Sequence, residues 1–403
     1  FMPPTLPPPS SPAGKRWHHY LQIAQRLVTA YRGEEPFAAD LKKYFAANKK
    51  HGSNDRKNIA ALCYAYFRLG LSCDDCVEEM RWQAAIFLCG LTTAAEHLLP
   101  SSWQQQLSNP VQDKMKFLQQ WLPDFHAANI FPLSDHLSAG IDGAAFSASH
   151  LIQPDLFLRI RPGCHYAVEQ KLTAATIPWQ QLDDDAIALP NHSPVDQWLT
   201  FDQEVVVQDL SSQRIARFFK EMNWNKAGAK RVWDCCAASG GKSLLAIDTL
   251  ENIQLTVSDI RASVLVNLQK RMAQAGWKNY TSQVIDLSIN TPSLPAQDLI
   301  ICDVPCSGSG TWGRTPENTR FFSADQIVEY TRRQQSILSH AFPLLDQGGY
   351  LLYITCSVFK EENEAMVDWL LQQTGFELKA QQMMVGYEQR ADSMFAALLH
   401  RSQ

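Results

Sequence analysis

From residue 208 to about residue 357 the chain repeats one pattern, and that pattern leaves little freedom of fold. A short apolar run ends on a polar residue, a stretch of helical spacing follows, and the next apolar run begins. Residues 231–233 lead into a glycine-rich turn and a helix. Residues 254–257 close at Asp259, 282–285 at Asp286 and 299–302 at Asp303, while 350–354 run into Thr355-Cys356-Ser357. Between them, residues 261–275 and 325–345 carry helical periodicity. Parallel strands need a crossover connection, so this alternation predicts a doubly wound α/β sheet. Ligands of such sheets bind beyond the carboxyl ends of the strands, where Asp234, Asp259, Asp286, Asp303 and Cys356 all fall.

The 403 residues exceed what one core usually serves, so two or three domains are expected. Residues 1–14 are proline-rich and read as a disordered tail without the character of a secretory signal. Residues 15–145 read as a helical bundle: Tyr20, Ile23, Leu27 and Ala30 share one face, as do Ile59, Leu62, Cys63 and Tyr66. Within 146–205, period-two alternation at 156–161, a helix at 167–175 and a short strand at 186–189 predict a small α+β subdomain. Residues 206–403 form the α/β domain.

A net charge of −5 disfavours a generic nucleic-acid coat, although basic residues gather between Lys15 and Lys57. Ten cysteines in so long a chain fit a reduced, cytoplasmic setting rather than a disulfide scaffold. Cys73 and Cys76 have C-x-x-C spacing without a second ligand pair, so no metal site is expected. No stretch reaches the ~20 apolar residues of a membrane span. A monomer is the default.

Three segments carry chemistry. Asp234-Cys-Cys-Ala237-Ala238-Ser239-Gly240-Gly241-Lys242-Ser243 ends like a phosphate-binding P-loop, but Cys236 stands where that loop needs its first glycine. G-x-G-x-x-G spacing is absent as well, so a smaller nucleoside ligand fits better. Asp259, closing the following strand, either accepts ribose hydroxyls or caps the helix beginning near Arg261; Asp286 repeats the strand-end acid and suits an adenine amino group. Cys306 and Cys356 each sit at a strand end and each precede a serine. A lone cysteine there is usually a packed core thiol, but two beside several carboxylates point to nucleophilic catalysis.

Gly-Gly-Lys242, Asp259, Asp303-x-Pro-Cys306-Ser-Gly-x-Gly and Thr-Cys356-Ser followed by Glu362-Asn-Glu resemble the RsmB/Nop2/Sun family of RNA cytosine-5 methyltransferases. The resemblance extends from Val207-Gln208-Asp209 to Asp392-Ser393-Met394-Phe395. It implies a Rossmann-like catalytic domain that uses S-adenosyl-L-methionine. Cys356 would add to carbon 6 of cytosine, Cys306 would assist release, and Asp303 would contact the ring. Ala237, Ala238, Ser239, Gly240, Gly241, Lys242, Asp259, Asp286 and Asp303 would form the cofactor pocket, with Arg314 near RNA. Residues 146–205 are similar to the family's RNA-recognition-like subdomain. His51-Gly-Ser-Asn-Asp55-Arg56 and Arg68 are similar to the NusB-like domain of members that modify 16S ribosomal RNA, making ribosomal RNA the first expected substrate and transfer RNA the second. Ser239, Val264 and Gly313 depart from the family pattern. Competing readings are methylation of an exocyclic amine, a non-catalytic RNA-binding assembly factor and a P-loop hydrolase.

Overall fold

The computed structural model describes residues 5–224, 227–373 and 375–402, which fall into two compact units. The first is helical and begins at helix Pro12–Ala30. Part of the expected tail is therefore ordered: Ser11 Oγ accepts from Gly14 N at 2.9 Å, and Pro12 takes the first helical turn, where its missing N–H is not needed. Residues 1–4 of that tail lie outside the described residues. The face bearing Tyr20, Ile23, Ala24 and Leu27 packs into a core with Phe37, Phe67, Trp82, Phe87 and Trp103. No helix among the described residues is long and apolar enough to cross a membrane.

This unit is not contiguous in sequence. Residues 5–135 are joined by 142–153 and by 312–323, a strap that sequence order assigns to the α/β domain. The strap is fixed by specific contacts. Trp312 is 1% exposed and stacks obliquely on Phe131 and Phe322; Arg68 Nη1 donates to Gly313 O at 2.8 Å; Glu317 Oε1 accepts from Phe37 N at 3.2 Å. Arg320 reaches Gly70 O and Asp74, and the Phe321 ring fills the space over Gly33, where any side chain would collide with it.

His150 is expected to make this unit acid-sensitive. It is buried, donates from Nδ1 to Phe146 O at 2.8 Å and stacks on Phe131, and burial lowers its pKa to about 4. A pKa below the unfolded value means that the neutral ring contributes fully above the ordinary histidine pKa and loses its contribution as pH falls toward 4. Thermal melts of wild type and His150→Gln should therefore diverge most at pH 7 and converge by about 3 kcal/mol on going to pH 4.

The second unit holds two sheets. The smaller contains β1 (Leu156–Ile160), β2 (Gln180–Gln181), β3 (Ala186–Leu189) and β4 (Val205–Val207) in the order β2-β3-β1-β4, with helix His165–Ala174 between β1 and β2. Its pairings are antiparallel. The larger sheet comprises β5 (Lys230–Asp234), β6 (Ile253–Asp259), β7 (Tyr280–Val284), β8 (Gln297–Asp303), β9 (Leu345–Thr355), β10 (Phe376–Met384) and β11 (Met394–Arg401). Their order is β10-β11-β9-β8-β5-β6-β7, parallel from β9 to β7 and closed by an antiparallel hairpin at the other edge.

Side-chain alternation feeds a separate apolar core on each face. Val232, Leu299, Ile301, Leu352 and Ile354 enter one; Trp233, Ile300, Cys302, Leu351 and Tyr353 enter the other. The chain runs outward from β5 through β6 to β7, then crosses back to β8 and proceeds the opposite way. The crevice between β5 and β8 is thus the switch point where ligands of this architecture bind.

Candidate active site

Strand ends build the site. Asp234 ends β5, Asp259 β6 and Asp303 β8, while Cys356 follows β9 directly. The turn after β5 is tight: Ala238 adopts φ 47° and Gly240 φ 90°, a left-handed region that costs a residue with a side chain. At Gly240 a Cβ would also lie 2.9 Å from the Leu268 side chain, so glycine is required there twice over.

Asp259 is 6% exposed and holds this turn. Its Oδ2 accepts from Ala238 N at 3.0 Å, and its Oδ1 accepts from Arg261 N at 2.9 Å and Nε at 3.1 Å. These bonds are not a helix cap: helix Ala262–Gln274 has Arg261 as its N-cap and no side-chain cap hydrogen bond, so Asp259 braces the turn ahead of that helix while its carboxylate lines the crevice. Asp234 is fully buried; its Oδ2 accepts from Ser243 Oγ at 2.6 Å, and its Oδ1 has no hydrogen-bond partner among the described residues. Burial raises its pKa to about 7. Asp286 lies two residues past β7 and accepts from Ser288 N and Oγ, which lower its pKa.

The thiols of Cys306 and Cys356 meet at 3.3 Å. Hydrogen bonding to Cys356 and burial push the Cys306 thiol up, keeping it protonated beside its neighbour. Gly310 makes the approach possible: its N donates to Cys356 O at 2.8 Å, and a Cβ there would lie 2.0 Å from Ser393 O. Asp209 and Asp392 also meet, since Asp209 Oδ1 accepts from Asp392 N and Ser211 Oγ donates to Asp392 O. Two distant sequence motifs thereby become one support.

A cavity of about 500 Å³ opens at these strand ends. Of the residues expected there, Ala238, Asp259, Asp286, Asp303, Cys306 and Cys356 line it. Ala237, Ser239, Gly240, Gly241 and Lys242 do not. Lys242 instead pairs with Asp303 at 3.0 Å and donates to Ser212 Oγ at 2.8 Å, acting on the cavity through that carboxylate. Arg314 belongs to the helical unit's strap. The lining also includes residues that sequence reasoning passed over, among them Ile260, Leu287, Tyr330 and Arg333. Tyr330, Arg333 and Ile337 stand three and four apart on helix Asp325–Ala341, a spacing that could have marked them as one face. Among the described residues no group of three or more His, Cys, Asp or Glu is placed to hold a metal ion.

Residues 222–399 match the family described as 16S rRNA methyltransferase RsmB/F. Ribosomal RNA small subunit methyltransferase B of Xanthomonas campestris is 31% identical over 261 residues, 60% of this chain and 57% of that protein. The protein of the same name from Xylella fastidiosa is 30% identical over 57% of this chain and 55% of its own length. The chain thus spans little more than half of these relatives. Among solved structures, PH0851 superposes over 97% of this chain and 99% of its own, with TM-score 0.68 and 19% identity. NSun6 from Pyrococcus horikoshii with SFG covers 68% of this chain and 97% of its own, with TM-score 0.57 and 14% identity. At those identities the two structures establish the fold.

Proposed function

Because residues 222–399 match the family described as 16S rRNA methyltransferase RsmB/F, we propose that the chain methylates carbon 5 of a cytidine in RNA, 16S ribosomal RNA first, through a covalent cysteine adduct. The observation that carries this reading is the pair of thiols 3.3 Å apart, opening with Asp303 onto one cavity. Methylation of an exocyclic amine needs neither thiol.

The cavity fits S-adenosyl-L-methionine. Carboxylates of Asp259 and Asp286 face it as acceptors for ribose and adenine, Ile260 offers an apolar surface that is 46% exposed, and the negative charge of Asp303 and Asp259 suits a sulfonium. The structural neighbour with SFG, an analogue of this cofactor, agrees in kind. When bound, the cofactor supplies an electrophilic methyl group.

Carbon 5 of cytosine is too weak a nucleophile to take that methyl unaided. In the proposed route the Cys356 thiolate adds to carbon 6, and Asp303, held in place by its pairing with Lys242, holds the polar edge of the ring. Electron density moves to carbon 5, which accepts the methyl group. The carbon 5 proton then passes to water, its bonding electrons restore the ring double bond, and the bond from Cys356 to carbon 6 breaks to return the thiolate, a release that Cys306 assists. The Cys306 thiol, held protonated in the resting site, suits a partner that does not compete as nucleophile.

The test is Cys306→Ala incubated with cofactor and RNA. The expected result is RNA that stays on the protein through a denaturing wash and whose sequencing reads stop at one cytosine, whereas Cys306→Ala/Cys356→Ala retains none. Release of RNA by Cys306→Ala at the wild-type level would remove Cys306 from the scheme.

A further inference from the structure

We infer that Glu362 is the positioning residue that sets the distance between the two thiols, by tying the loop behind Cys306 to the loop behind Cys356 through one buried carboxylate. Adjacent strands deliver both cysteines, but the β8–β9 ladder stops before them: its last pair is Asp303 with Ile354. Beyond a ladder nothing in the sheet fixes the spacing of the chains. Glu362 supplies what the sheet no longer does. It is 0% exposed. Its Oε1 accepts from Ser307 N at 2.9 Å and Gln334 Nε2 at 3.0 Å; its Oε2 accepts from Ser307 Oγ at 2.6 Å and from Ser357 Oγ. Ser307 and Ser357 each follow a reactive cysteine directly, so the two loops converge on one acceptor group.

The clamp is itself anchored. Tyr353 OH donates to Glu362 O at 2.5 Å, Glu362 N donates to Phe359 O at 3.1 Å, and Gln334 Nε2 also donates to Pro305 O at 3.0 Å. Only a carboxylate offers two acceptor oxygens to such a ring of donors. A glutamine of the same size would keep one oxygen for Ser307 N and Gln334 Nε2 but turn its NH2 toward the two serine hydroxyls, which could then no longer donate to it and would have to reverse.

For its effect on methyl transfer this inference rests on the proposed reaction, but the spacing of the thiols does not, and the experiment uses that difference. Full-length wild type, Glu362→Gln, Ser307→Ala and Ser307→Thr are treated with diazenedicarboxamide. Two thiols give up two electrons and two protons to its N=N bond, yielding a disulfide and the hydrazine. Peptide mapping follows the Cys306–Cys356 crosslink and separates it from Cys235–Cys302, whose sulfurs lie 3.4 Å apart.

Glu362→Gln and Ser307→Ala are expected to form the Cys306–Cys356 link roughly tenfold more slowly. Ser307→Thr, which keeps the hydroxyl, should stay within about twofold of wild type, as should cofactor affinity in all variants. In methyl transfer, kcat should fall without a matching rise in the KM for cofactor. Crosslinking at the wild-type rate in both Glu362→Gln and Ser307→Ala would overturn the inference. Should Glu362→Gln fail to fold, the two Ser307 variants decide alone: equal rates overturn it. If crosslinking slows as expected but no variant, wild type included, methylates RNA, the proposed reaction fails and the clamp stands.

Discussion

Cys356→Ala should lose methyl transfer to RNA by roughly 10⁴-fold or more, the scale seen when a covalent nucleophile is removed. Its cofactor affinity should stay within about twofold of wild type, because Asp259 and Asp286, which face the proposed cofactor, are held by their own hydrogen bonds and not by this thiol. The informative comparison is Cys356→Ser. An alcohol occupies nearly the same space but is hardly ionised at neutral pH, so it should rescue folding and binding without rescuing rate. Incorporation of labelled methyl into a ribosomal RNA fragment measures the loss, and calorimetry with the cofactor measures binding. Retained transfer in Cys356→Ala would sink the covalent scheme and return the chemistry to an exocyclic nitrogen.

A loss of stability, rather than of rate, is expected at Asp248. This residue lies near the end of helix Gly241–Thr249, its side chain 6% exposed, and it serves two arginines of β1 and the loop that follows. Arg159 Nη1 reaches Oδ2 at 2.7 Å, Arg161 Nη2 reaches Oδ1 at 2.7 Å, and Arg161 Nε adds a third contact at 3.1 Å. Asp248→Ala would leave two guanidinium charges in a poorly hydrated site with their partner removed. Breaking a buried pair in this way costs about 3–5 kcal/mol. The urea midpoint of the second unit should fall accordingly. Asp248→Asn keeps the shape and one acceptor oxygen and should lose less. An unchanged midpoint for Asp248→Ala would mean that water already reaches these arginines.

Much of this site was readable because two simple periodicities coincide in it. Strands of period two end on polar residues, and the doubly wound topology gathers those ends; Asp259, Asp303, Cys306 and Cys356 meet for that reason. Where the pattern weakened, so did the reading. β10 is an edge strand with polar residues toward both faces, and β11 is a nearly continuous buried run, so neither alternates enough to announce the terminal hairpin. Lys242 sits in a glycine-rich motif that suggests direct contact with a ligand. Its partner, Asp303, comes from a strand about sixty residues later, and no local pattern reports that pairing. The ends of elements moved too: Asp286 lies beyond β7 rather than on it, and helix Asp325–Ala341 stops before the short turn Phe342–Leu344.

The strap at residues 312–323 was the least legible feature, since it follows the Cys306 loop without interruption yet folds with residues almost three hundred positions earlier. It also bears on how such a protein can change over evolutionary time. A module whose parts are contiguous can be lost, duplicated or recombined by one genetic event. Here the helical unit keeps Trp312, Glu317 and Phe321 within the coding stretch of the catalytic unit, so a clean excision would strip the helical unit of two buried groups, Trp312 and Glu317, and of the ring that Phe321 lays against Tyr31. Inheritance of the two units is thereby coupled by topology.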